Sequence, residues 1–240
     1  MDKLIGIHAV EEALRAGRAI EHVIVVRGAS NPRLQKIIDQ SRRSAVPLRF
    51  EPREALDRMG EGGSHQGVIA VTAAHRYREL EEVLRPPGEP ALLVLLDGVE
   101  DPHNLGAIIR SAHAAGADAV VIPERRSAGL TAAVAKAAAG ALEHLPVARV
   151  ANLNRALERL KRSEYWIFGL DERGPERYDR VDYRGRAAIV LGGEGKGIHQ
   201  QVARHCDFLV KIPVAGRIGS LNVSVAAGIV LFEALRQRSS

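Results

Sequence analysis

Apolar and polar positions along this chain change period twice, and the changes divide it. Near the start, Ile7, Val10 and Leu14 recur at helical spacing, so a first helix is expected over 4–16, closed by Gly17. Short β-branched runs predict strands over 23–26, 48–50 and 67–72, and Asn31-Pro32 opens a helix expected over 31–44. The next stretch, HRYRELEEVLRPPGEP, is charged and ends in prolines and glycine, which predicts a linker over 75–90. At Ala91 the pattern becomes LLVLL, an uninterrupted apolar run of the kind found where a parallel sheet is covered on both faces. Helical and apolar segments then alternate. Helices are expected over 102–115, 131–142, 153–160 and up to Val202, and strands over 119–122, near Val147, and over 166–170 and 187–191. The expectation is a small α/β domain over 1–74, a linker over 75–90 and a mostly parallel α/β domain over 91–240.

The closing stretch, FLVKIPVAGRIGSLNVSVAAGIVLFEALRQR, organises the second domain. A strand over 208–212 ends at Pro213, which has no N–H to give. Gly216 and Gly219 loosen the backbone, and Ser220 and Asn222 offer side chains that cap a helix. In that helix Val223, Ala226, Ala227, Val230, Leu231 and Ala234 form one apolar stripe, and Val225, Gly228, Ile229, Phe232 and Leu235 form another almost opposite. A helix apolar all round sits inside a core or at a subunit interface.

Composition narrows the classes of function. The 34 Lys and Arg against 29 Asp and Glu give a net charge of +5, which permits a nucleic-acid partner without requiring one. Arg42 and Arg43 suit phosphate contacts or a solvated helix end. Cys206 is the single cysteine, which excludes an internal disulfide and a cysteine-based zinc cluster and fits a reducing cytoplasm. No apolar run approaches a membrane span, so a cytoplasmic protein without a membrane partner is expected.

Ligands of parallel α/β sheets bind beyond the carboxyl ends of strands, and three such ends are unusual here. The first, DGVEDPHNLGAIIR, puts Asn104 at a helix start and His103 and Arg110 on one face. The second is LGGEGKG. Lys196 is followed by Gly197, so it is no P-loop, and no acidic residue ends the next strand, so it is no dinucleotide site. What survives is an amide-rich loop carrying Glu194, near the third end with Ser220 and Asn222. The HQG turn at 65–67 suits an RNA contact or a plain turn. The residues alone thus indicate a small-ligand pocket and no particular reaction.

The motifs DPHNLGAIIRSAHAAG, IVLGGEGKGI and KIPVAGRIGSLNVSVAAGIVLFEALRQR, in this order, resemble the SpoU family of RNA ribose 2'-O-methyltransferases within the SPOUT class. GIHAVEEALRAG and HQGVIA are similar to that family's N-terminal substrate-binding domain, so the resemblance covers nearly the whole chain. It implies a C-terminal domain with a deep trefoil knot, preceded by a ribosomal-protein-like RNA-binding domain. It further implies S-adenosylmethionine as cofactor, held by Gly192, Ile212 and Leu221 with Gly193 and Pro213 adjoining, and a catalytic set of Asn104, Arg110, Glu194, Ser220 and Asn222. The layout and the segment ERRSAGLTAAVAKAAAGALEHLP are most similar to members that methylate a guanosine in large-subunit ribosomal RNA. Transfer-RNA enzymes come next, and a non-enzymatic RNA-binding protein is the rival from another class. A homodimer through the knotted domain is also implied. Arg217 departs from the small or polar residues expected in its loop.

Overall fold

The computed structural model describes residues 2–18, 20–28, 31–60, 62, 64–72, 75–193, 197–216 and 219–239. Its first elements are β1 (Asp2–Ile5), α1 (Ile7–Arg15), β2 (Ile20–Val26), α2 (Pro32–Arg43), β3 (Leu48–Glu51), α3 (Arg53–Met59) and β4 (Val68–Thr72). Then follow β5 (Ala91–Asp97), α4 (Pro102–Ala114), β6 (Ala119–Pro123), α5 (Ala132–Ala138), β7 (Val147–Val150), α6 (Leu153–Arg162), β8 (Trp166–Leu170) and β9 (Glu176–Arg177). The chain closes with β10 (Arg186–Gly192), α7 (Gln200–Ala203), β11 (Phe208–Lys211) and α8 (Val223–Arg238).

Two units divide these elements, and the division is not a single cut: Met1–Arg76 groups with Leu130–His144, and Tyr77–Gly129 with Leu145–Ser240. In the first unit β4 runs antiparallel to β1 and β2, and β2 is parallel to β3. The turn at 65–67 is structural. His65 is buried, its Nδ1 accepts from the Gly67 amide at 3.0 Å and its Nε2 lies 2.9 Å from Asp57. Gln66 adopts a left-handed φ of 52° and its Oε1 accepts the Ile7 amide at 3.1 Å, so it serves the first turn of α1. Helix α5 is shorter than its alanine run predicts because Ala139 and Gly140 turn left-handed, at φ 48° and 94°. The chain then presents Glu143 to Arg18 at 2.7 Å.

In the second unit every pairing is parallel, in the order β7-β6-β5-β10-β8-β11-β9 among the described residues. Strand β5 is buried along its whole length, as the LLVLL run predicts, and β10 along all but its last residue. The stretch 75–90 is not the free linker expected from its composition. Arg78 bridges to Ala148, Leu80 and Val83 are buried, and the Arg186 guanidinium donates to the carbonyls of Arg85, Pro86 and Glu89 while lying 4.4 Å from the Tyr165 ring centre. A buried cation that finds acceptors and a π-face is held without a counter-charge.

Helix α8 packs on α4 and is capped by Asn222, whose Oδ1 accepts from Ser224 and Val225 amides at 2.9 and 3.4 Å. Val223, Ala227, Val230, Leu231 and Ala234 are buried, whereas Val225 and Phe232 stay half-exposed. Among the described residues no helix is long and apolar enough to cross a membrane.

Candidate functional site

Neighbouring strands β5, β10, β8 and β11 bring their carboxyl ends together, with Gly192 in register with Asp97. The Gly193 amide donates to the Asp97 carbonyl at 2.8 Å, and the Gly197 amide to the Gly193 carbonyl at 3.2 Å. Three backbone segments cross here with no room for side chains. A Cβ on Gly192 would stand 2.0 Å from the Gly197 carbonyl carbon, and one on Gly193 would stand 2.1 Å from the Gly98 carbonyl oxygen. Sequence alone reads these glycines as part of an amide-rich loop, and the structure uses them for close approach.

Beside this crossing lies a cleft of about 610 Å³. Leu170, Leu191, Ile212, Leu221 and Ala226 give it apolar walls, Gly192 and Gly193 give it main-chain groups, and Ser220 and Asn222 stand at its edge. The Asn222 amide nitrogen donates to Asn104 Oδ1 at 3.0 Å, so the first and third motifs meet through this pair, with Asn104 buried. Pro213 adjoins Ile212 and is exposed. His103 and Arg110 are exposed on α4, and neither lines the cleft. Glu194, Lys196 and Arg217 lie outside the described residues.

Sequence reasoning passed over two groups. Asp171, at the end of β8, lines the cleft with a nearly buried carboxylate that Arg173 grips through its main-chain amide and two guanidinium nitrogens at 2.8–2.9 Å. The Arg173 hydrogen bonds hold this acid below the usual carboxylate range and offset its burial, so it is an anion at neutral pH. Its only sequence signal was an acid at a strand end.

The second group lines an adjoining cleft of about 500 Å³ that shares Gly193, Gly197 and Val223 with the first. There Asp97, also nearly buried, accepts the His199 amide at 2.8 Å and faces His199 Nδ1 at 3.0 Å, and His199 Nε2 lies 3.4 Å from Arg126 Nη1. These three residues are far apart in sequence, which is why no motif displays them. Together the two clefts offer an apolar slot with main-chain groups, the carboxylates of Asp171 and Glu172 and the Arg173 guanidinium at its rim, then an asparagine pair, then a more polar hollow. Such a site holds a flat heterocycle with a charged tail and a polar second molecule beyond it.

Comparison with known proteins gives the same arrangement a context. A sequence model described as the SpoU rRNA Methylase family matches residues 91–232, and one described as RNA 2'-O ribose methyltransferase substrate binding matches residues 3–78. The 23S rRNA (guanosine-2'-O-)-methyltransferase RlmB of Xylella fastidiosa is 45% identical over 242 residues, spanning 98% of this chain and 96% of that one. YacO of Bacillus subtilis, provisionally named a TrmH family tRNA/rRNA methyltransferase, is 42% identical over 241 residues, spanning 99% and 96%. The solved SpoU methyltransferase AviRb from Streptomyces viridochromogenes, in complex with the cofactor AdoMet, superposes with a TM-score of 0.82 at 25% identity over 99% of this chain and 90% of that chain.

Proposed function

Because this chain belongs to the SpoU rRNA methylase family, we propose that it transfers a methyl group from S-adenosylmethionine to the 2'-hydroxyl of a guanosine in 23S ribosomal RNA. The observation that carries the reading is the Asn104–Asn222 pair at the edge of the cleft lined by Gly192 and Gly193. It joins a slot suited to the cofactor with polar groups suited to a ribose.

The residues present fit the cofactor. Apolar walls from Leu170, Ile212 and Leu221 suit a purine and a thioether, and main-chain groups at Gly192 and Gly193 suit its polar edges. Asp171 is paired with Arg173, and Glu172 beside them adds a carboxylate to the cleft that favours a cationic ligand. When bound, S-adenosylmethionine supplies an electrophilic methyl on a sulfonium. The 2'-hydroxyl that would take this methyl must pass its proton to an acceptor, either solvent or the RNA phosphate beside it.

The chain's own residues orient the hydroxyl and stabilise the charge it develops. Asn104 and Ser220 hold the ribose, and Asn222 holds Asn104 while capping α8. Arg110 is exposed and so available to an RNA lying over the cleft. The role assigned to Arg110 is to hold phosphate and hydroxyl in line as a cation, and the alternative is that it accepts the hydroxyl proton with the phosphate assisting. Glu194 completes the set by fixing the loop or Arg110. Arg110→Ala lowers turnover by about a hundredfold while cofactor affinity barely changes, and Arg110→Lys recovers part.

Three further features belong to this reading. The family resemblance and the place of β10 between β5 and β8 support a trefoil knot in the C-terminal domain. The half-exposed Val225 and Phe232 support a homodimer through that domain. The match of residues 3–78 to a substrate-binding model supports RNA recognition by the N-terminal unit in the cytoplasm. Labelled S-adenosylmethionine incubated with unmodified ribosomal or transfer RNA, followed by nuclease mapping, tests the whole. A methylated guanosine in 23S RNA is expected. Label in transfer RNA alone favours the tRNA alternative, and cofactor binding without transfer to either RNA favours a non-enzymatic binder.

A further inference from the structure

The adjoining cleft is built around Arg126, in a segment to which the proposed reaction gives no role. Its backbone is left-handed, at φ 59°, a conformation that costs a non-glycine residue free energy and that persists where surrounding structure enforces it. The enforcement is visible: two residues on, the Ala128 amide donates to the Val99 carbonyl at 3.0 Å, tying this loop to the one after β5. The side chain is exposed, with Nη1 3.4 Å from His199 Nε2. His199 is itself fixed through its amide and Nδ1 by the Asp97 carboxylate. The ring stands between the Asp97 carboxylate at Nδ1 and the Arg126 guanidinium at Nε2. The Asp97–His199 pair thus steadies one nitrogen of the guanidinium and leaves its other N–H groups for a ligand.

Glu100 and Asp101 line the same cleft. Asp101 is engaged at the start of α4, where it accepts the His103 amide at 2.9 Å. Glu100 is exposed and makes no contact among the described residues. Three carboxylates against one arginine and one histidine disfavour a phosphate. They favour a neutral ligand with acceptors on one edge and donors on another. Guanine has O6 and N7 for an arginine fork, and N1–H with its 2-amino group for a carboxylate; adenine offers an amino group where the fork needs an acceptor. Asn104 lines this cleft and accepts from Asn222, which lines the other, so a ribose held at this pair has the cleft that Arg126 lines on one side of it.

The geometry points to this cleft as the reader of the target base: Arg126 takes the O6/N7 edge of guanine, Glu100 takes N1–H and the 2-amino group, and His199 with Asp97 position Arg126. The assignment rests on the proposed reaction for its substrate, but its test needs no turnover. The full-length protein is saturated with S-adenosylhomocysteine and titrated with GMP, IMP, AMP and ribose 5-phosphate, followed by NMR chemical shifts. GMP is expected to bind about tenfold or more tightly than AMP, with IMP between them. Arg126→Ala removes most of the GMP preference, Glu100→Ala erases the difference between GMP and IMP, and His199→Phe weakens GMP less than Arg126→Ala does. Equal affinity for GMP and ribose 5-phosphate, or an Arg126→Ala protein that keeps the preference, overturns the assignment. In a second arm, the ratio of kcat/KM for ribosomal RNA with guanosine and with inosine at the target position falls toward one in Glu100→Ala. Loss of GMP preference in Arg126→Ala beside a wild-type protein that methylates no RNA supports the cleft and overturns the reaction.

Discussion

At Gly193 one methyl group decides whether the strand ends can cross. The 2.1 Å approach to the Gly98 carbonyl oxygen leaves no rotamer to absorb a side chain, because the neighbour is backbone. Gly193→Ala is expected to cost about 2 kcal/mol or more of stability and to weaken S-adenosylhomocysteine binding at least tenfold, measured by denaturation and calorimetry. Cys206 makes a second prediction. Burial, the largest cause, with the charge of Asp207, pushes its thiol up to about 12, and its Sγ donates to the Val202 carbonyl at 3.5 Å. The folded chain therefore favours the neutral thiol. Its contribution is fully present below the unfolded thiol's pKa near 9 and is lost as pH rises through about 12. The native protein should alkylate slowly at about pH 8, and wild-type stability should fall more steeply above about pH 9 than that of Cys206→Ala.

At the scale of elements, the ion pair between Arg18 and Glu143 fastens the segment after α5 to α1. Both side chains are nearly buried and 2.7 Å apart, and burial raises the Glu143 carboxyl while Arg18 opposes it. Losing Arg18 leaves the nearly buried Glu143 carboxylate with His75 at 3.6 Å in place of its 2.7 Å partner, so Arg18→Met is expected to cost about 3 kcal/mol, read from chemical denaturation, with Arg18→Met combined with Glu143→Leu recovering much of it. This contact also marks where sequence reading stopped. Strands β5, β6, β8 and β10 were legible because their apolar runs are continuous, and α2, α4 and α8 because Asn31, Asp101 and Asn222 announce their caps. Strands β1 and β9 were missed, at four and two residues, as was α3, whose single buried residue, Leu56, leaves no stripe to see. Pairings across many residues leave no local trace, so β10 between β5 and β8, and 130–144 grouped with the first unit, required the structure. The motif residues of the larger cleft were visible one by one. The Asp97–His199–Arg126 chain was not, since its members belong to three segments whose meeting only the sheet order determines.

At the scale of the whole molecule, α8 serves two surfaces at once. One side is buried in its own unit through Val223, Ala227, Val230, Leu231 and Ala234; on the other, Val225 and Phe232 are 52% and 50% exposed. Between them, a Cβ on Gly228 would meet nothing within 4 Å, so a second backbone has room to approach there. Helix interiors disfavour glycine by about 1 kcal/mol against alanine, and close approach of a second copy is the use that the proposed dimer gives Gly228. A specific dimer needs on the order of 1,000 Å² buried in all, and aromatic side chains near the centre of such a patch carry most of its energy. Phe232→Asp is therefore expected to weaken dimerisation by about 2 kcal/mol or more, roughly thirtyfold in Kd, without unfolding a chain in which this side chain already faces solvent. Gly228→Leu should do the same by blocking close approach. Sedimentation equilibrium at micromolar concentrations reads both, and a wild-type protein that sediments as a monomer across that range would remove the dimer from this account.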